Sequence, residues 1–179
     1  QVVLRISPDE SLYFINCNKD EALELLELTK DSASNLFETS VACIGSGICQ
    51  VGLRDSQKLY NTIMDKIRPL DFADGVLPKI HISGCPSSCG THQTGEMGFR
   101  GGVKKVDGKV WPAFVLYVGG CDYQGKETMG QQLGTIEETK IPEFLVTLGR
   151  HVAESGMEFH EWRQKNPDML ENLAKPYLA

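Results

Sequence analysis

The chain has no run approaching the eighteen consecutive apolar residues that a membrane-crossing helix needs. Nor does Gln1 open a leader: it runs directly into the strand-like VVLRI, without the basic, apolar and small-residue regions of a signal peptide. Membrane insertion and secretion are therefore not expected, a cytoplasmic protein is, and a start at glutamine suits a piece of a longer chain. A continuous positive face is also absent. The net charge is -6 and basic residues stand singly or as the pair Lys104-Lys105, so nucleic acid is not an expected partner. There is no internal repeat and no low-complexity segment. What is present is 179 residues, 41% hydrophobic and 23% charged, enough for one domain, or one and part of another, to bury a core.

The apolar pattern is mixed. Residues 2–6 and 11–17 read as strands around the turn-rich SPDE, and NKDEALELLELTK reads as a helix. Asn18 can cap it, Glu21 sits three residues on as in a capping box, and Ala22, Leu25, Leu26 and Thr29 share a face. Two strands and one helix cannot close a core alone, so this unit is expected to pack on other sequence, within the chain or upstream of it. DSASNLFETS, 31–40, reads as a connector. From Gln50 a second helix is expected, with Leu53, Tyr60, Ile63, Met64 and Ile67 at helical spacing until Pro69. PKIHIS, 78–83, alternates as a short strand, which turns His81 away from the core side of Ile80 and Ile82. Asp107-Gly108 signals a hairpin, and Pro112 puts the start of its second strand at an edge. A further helix runs from Pro142 toward Gly156 with Phe144, Leu145, Leu148 and Val152 inside it, and the polar tail is expected to turn helical around DMLENLAK.

Six cysteines without a secretory context point to metal ligands or redox groups rather than a disulfide framework. Cys17, at a strand end, and Cys121, after VGG, read as small buried hydrophobes. The other four lie in two tight turns, CIGSGIC with Cys43 and Cys49 and SGCPSSCG with Cys85 and Cys89. Spaced C-x5-C and C-x3-C, these thiols can converge on one centre, tetrahedral or cubane-like. Structural zinc more often uses C-x2-C or C-x4-C knuckles; the spacing favours an iron-sulfur cluster and leaves zinc open. Gly45, Gly47, Gly84 and Gly90 allow close backbone approach, and helix starts expected at Cys49 and at Cys85-Pro86 would turn free N–H groups toward an anionic centre.

CIGSGIC, followed by ISGCPSSCGTHQTGEMGFRG and GKVWPAFVLYVGG, resembles the C-terminal, cluster-carrying half of the siroheme-dependent nitrite and sulfite reductases, over residues 2–165 or so. The resemblance implies an α/β (α+β) fold: part of a ferredoxin-like half-domain over 1–35, a siroheme and 4Fe-4S domain with a mixed sheet flanked by helices over 36–165, and a tail over 166–179. It implies that Cys43, Cys49, Cys85 and Cys89 hold a 4Fe-4S cluster, with Cys89 also the axial ligand to the siroheme iron. The activity implied is six-electron reduction of sulfite to sulfide or nitrite to ammonia, with electrons from ferredoxin or a flavoprotein. The chain departs from the family pattern at Ser87, where an asparagine is usual. The family's cationic substrate-binding residues lie largely in sequence that would precede Gln1, so the 179 residues alone are expected to be incomplete for catalysis. Arg54, Arg100, Lys104 and Lys105 are local cations that read as solvated surface charges, and His81 and His92 earn no catalytic role. The competing reading is a non-catalytic module whose thiols hold only a cluster or zinc, for electron transfer or structure.

Overall fold

The computed structural model describes residues 1–7, 11–30 and 32–178; most of the turn expected at SPDE, and the first residue of the expected connector, lie outside them. The chain divides into two compact units, 1–34 and 35–179.

The first unit is a hairpin and a helix. Strands β1 (Val3–Ile6) and β2 (Leu12–Ile15) pair antiparallel, with Val3 opposite Ile15. Helix α1 (Lys19–Leu28) starts where the local chemistry says it should: Asn18 Oδ1 accepts from Glu21 N at 2.9 Å, and Glu21 Oε2 accepts from Asn18 N at 2.8 Å. Yet α1 buries no side chain and Ile6 is 85% exposed. Three short elements supply too little apolar area for a core of their own.

The second unit is built on a five-stranded mixed sheet. Its elements are β3 (Val41–Ala42), α2 (Ser56–Ile67), β4 (Ile80–Ser83), β5 (Met97–Val106), β6 (Lys109–Val118), β7 (Gln131–Glu137), α3 (Ile141–Ser155), α4 (Phe159–Lys165) and α5 (Met169–Ala174). The strand order is β3-β4-β5-β6-β7, parallel across the first three strands and antiparallel across the last three. The fold is thus mixed α/β, as expected. Alternation gives the sheet one apolar face carrying Ile80, Ile82, Met97, Phe99, Phe114, Leu116 and Ile136, all fully buried. These join one hydrophobic core with Leu59, Ile63 and Met64 of α2, Phe144, Leu145 and Leu148 of α3, Phe159 and Trp162 of α4, and Leu170 and Ala174 of α5.

Local signals end the elements as anticipated. Asp107 and Gly108 both take positive φ, 49° and 78°, the twist that a two-residue turn needs to join β5 to β6. Gly156 stops α3 at φ 68°. Pro112 lies in β6 just before Ala113, where pairing to β7 begins, so its missing N–H faces an open edge.

Some expectations fail. Helix α2 begins at Ser56 and not at Gln50, capped by Asp55, whose Oδ1 accepts from Lys58 N at 3.0 Å. Leu53 accordingly lies outside the helix and half exposed. Cys85-Pro86 open no helix either; residues 84–95 form consecutive turns in which Ser88 and Thr91 hold positive φ of 60° and 51°. His81 turns away from the apolar face, as expected, and is buried at 3% exposure beneath those turns. The sequence reading also missed β7 and α4, and Cys17 and Cys121 are only partly buried.

Candidate metal centre

Two neighbouring parallel strands aim both cysteine turns at one place. Val41 pairs with His81 and Ala42 with Ile82, so the chain leaves β3 and β4 at the same end of the sheet. Cys43 follows β3 directly, and Cys85 stands two residues beyond β4. This is the crevice outside the carboxyl ends of parallel strands, where α/β sheets bind ligands. Backbone bonds lock the turns together: Gly84 O accepts from Leu53 N at 3.1 Å and from Arg54 N at 2.8 Å, and Ser46 N donates to Arg54 O at 2.9 Å. Within the first turn Cys49 N donates to Gly45 O at 2.8 Å, which closes the segment that would otherwise have begun the helix.

Cys43, Cys49, Cys85 and Cys89 line one pocket, with Ile44 and Val51 in its wall. Cys85 is buried, Cys43 and Cys49 are partly buried, and Cys89 is exposed. Gly84 N donates to Cys43 Sγ at 3.1 Å, and Ser56 Oγ lies 3.2 Å from the same sulfur. Among the described residues no three His, Cys, Asp or Glu side chains gather closely enough for a single metal ion. Zinc draws its thiolates to about 2.3 Å, whereas a cubane keeps its four corner ligands farther apart. The four-thiol donor set and the N–H aimed at Cys43 sulfur fit an iron-sulfur cluster.

The turn after Cys89 is clamped to the sheet face opposite the helices. Gly90 N donates to Ser83 Oγ at 3.1 Å, and His81 Nδ1 lies 2.8 Å from Thr91 Oγ1. His92, also without exposure, meets the Tyr117 ring edge-on at 4.9 Å between centroids. The Ser88 hydroxyl gives its proton to Gln93 Oε1, so His92 Nδ1, 3.2 Å from Ser88 Oγ, must itself be the donor. Nε2 is then a bare acceptor, buried without a partner. Burial, and secondarily the charge of Arg100, lower the His92 pKa from 6.5 to about 4.

That shift has a sign. Between pH 6.5 and about 4 the unfolded chain binds a proton that native His92 refuses, so this contribution to stability is complete above 6.5 and drains away toward 4. His92→Gln is expected to flatten that part of a plot of urea midpoint against pH; a curve parallel to the unsubstituted chain's would refute it. The local cations also differ from expectation. Lys104 is only 9% exposed and lies 3.7 Å from Glu137, and Arg100 Nε donates to the Tyr117 hydroxyl at 3.3 Å. Arg54 is partly buried, and Lys105 alone of the four stands in solvent. Sequence reasoning dismissed His92 and missed Ser56, whose closeness to Cys43 depends on where α2 begins.

A mixed sheet with a thiol-lined crevice at its parallel end places the chain among metal-cluster-binding α/β domains. The comparison with known families is specific: residues 34–155 match the nitrite and sulphite reductase 4Fe-4S domain, and the chain belongs to that family. It is 31% identical over 108 residues to a ferredoxin-nitrite reductase of Leptolyngbya laminosa, covering 60% of this chain and 20% of that protein. It is 28% identical over 123 residues to a sulfite reductase (NADPH) hemoprotein beta-component of Bacillus subtilis, covering 66% and 20%. The chain thus spans about a fifth of the length of these curated relatives. The solved structure of Mycobacterium tuberculosis NirA protein shares the fold, with a TM-score of 0.70 at 19% identity over 93% of this chain and 33% of that one. Among the described residues no helix is long and apolar enough to cross a membrane.

Proposed function

We propose that the chain is the cluster-carrying part of a cytoplasmic, siroheme-dependent reductase that takes nitrite to ammonia or sulfite to sulfide, supplied with electrons by ferredoxin or a flavoprotein. Residues 1–35 would complete a ferredoxin-like half-domain with sequence elsewhere in the protein, 36–165 would hold the cofactors, and 166–179 would close the core through α5. Bound here, a 4Fe-4S cluster and siroheme would supply one-electron storage and delivery to a small oxyanion.

The chain's own residues have separable tasks. Cys43, Cys49, Cys85 and Cys89 hold the cluster as thiolates, and Gly84 N–H offsets negative charge at Cys43 Sγ. Ile44 and Val51, both exposed, line the same pocket as the thiols. Cys89 is proposed to ligate the siroheme iron as well. The observation that carries this reading is that the four thiols share one cavity while only Cys89 is exposed, free to face a second group. All six cysteines are free, which suits a reducing compartment. The test is the spectrum of the full-length protein, purified without oxygen. A Soret band with a band toward the red, together with iron and acid-labile sulfide, is the expected result. Broad violet-blue absorption alone would reduce the protein to a cluster module, and a colourless protein with zinc would end the proposal.

A further inference from the structure

Ser56 opens α2 with its side chain fully buried, and its one hydroxyl proton has two claimants. Oγ lies 2.6 Å from Cys43 O and 3.2 Å from Cys43 Sγ. While Cys43 is a thiol, its S–H can donate to Oγ and the hydroxyl can donate to the carbonyl. A cysteine that holds iron has lost its proton and can only accept. The single proton left between the two side chains is then the serine's. Turning it to the sulfur does not orphan Cys43 O, because Gln57 Nε2 stands 3.3 Å from that oxygen and 2.8 Å from Ala42 O.

We propose that Ser56 raises the reduction potential of the cluster by donating its hydroxyl proton to Cys43 Sγ, with Gln57 freeing that proton by serving the Cys43 carbonyl in its place. The proposal rests on the reading of Cys43 as a cluster ligand. Its physical basis is electrostatic: reduction adds negative charge to the cluster and its sulfurs, and a donor aimed at sulfur stabilises the reduced form more than the oxidised one. Ser56 is a positioning residue, since it acts through the cysteine and touches neither substrate nor iron.

Full-length protein prepared without oxygen decides the matter in two measurements: iron and sulfide content, then a redox titration followed by electron paramagnetic resonance. Ser56→Ala is expected to keep its iron and to titrate at a more negative potential, while Ser56→Thr, which keeps the hydroxyl, titrates with the unsubstituted protein. Gln57→Ala touches no sulfur and is expected to shift the potential the same way by less, with no further shift when added to Ser56→Ala. Unsubstituted protein without iron would sink the ligand assignment and this inference with it. A loaded Ser56→Ala protein at the original potential would sink this inference alone. If Ser56→Ala fails to load, an unmoved potential in Gln57→Ala overturns the proposal.

Discussion

Cys89→Ser is expected to bring nitrite or sulfite reduction by the full-length protein below detection while leaving its far-ultraviolet circular dichroism unchanged. Serine in place of an exposed thiol disturbs no packing, so the fold has no reason to respond. Its alcohol is a poor substitute for a thiolate: it stays protonated at neutral pH and offers iron a harder, weaker ligand. Because Cys89 is proposed to serve two metal centres, its loss breaks their coupling even where three cysteines retain iron. Activity assayed with a chemical one-electron reductant, beside iron content, checks this. Normal turnover in the variant would contradict the bridging role.

Gly101→Ala and Gly102→Ala should differ sharply although the residues are neighbours in β5. A Cβ at Gly101 would lie 2.1 Å from Gly84 O and 2.5 Å from Gly84 C, inside the backbone that joins β4 to the second cysteine turn. At Gly102 nothing comes nearer than 3.8 Å, an ordinary contact. The first substitution must push the Gly84 carbonyl away, and with it the bonds from Leu53 N and Arg54 N that hold the two turns side by side. Overpacking against backbone costs about 1–3 kcal/mol, or roughly 2–12 °C in Tm for a chain of this size. Gly101→Ala is expected to show that loss and to bind substoichiometric iron, with Gly102→Ala melting and loading normally. Equal behaviour of the two variants would refute the close approach as the cause.

What could be read in the sequence was what is local. The Asn18 capping box and the Asp107-Gly108 turn each act over a few residues, and each is found where the sequence put it. The start of α2 was not readable, because Leu53 continues the helical period of Tyr60 and Ile63 although the backbone around it is committed elsewhere. Leu53 N donates to Gly84 O, a partner far along the chain that no periodicity reveals. Strand β7 was hidden for a related reason: its Gly134 leaves a gap in the alternation that the Leu178 side chain occupies, 2.8 Å from where a Cβ would stand. For His81 the alternation was sound; that the turn carrying Thr91 covers its face could not be read from it. That four of the cysteines fall in two tight pairs was legible in the sequence, whereas the two-residue strand that sets the turns side by side was not. The tuning contact of Ser56 needed coordinates.

Adjacent strands in a sheet sit about 4.8 Å apart whatever lies between them in sequence. Since β3 and β4 are such neighbours, the span between the two cysteine pairs is set by a ladder rung and not by the excursion through α2 and back. Beyond α2 the intervening segment is therefore a detour whose length does not enter that span, whereas Leu53, Arg54 and Ser56 at its start bond to the turns themselves and fix the register there.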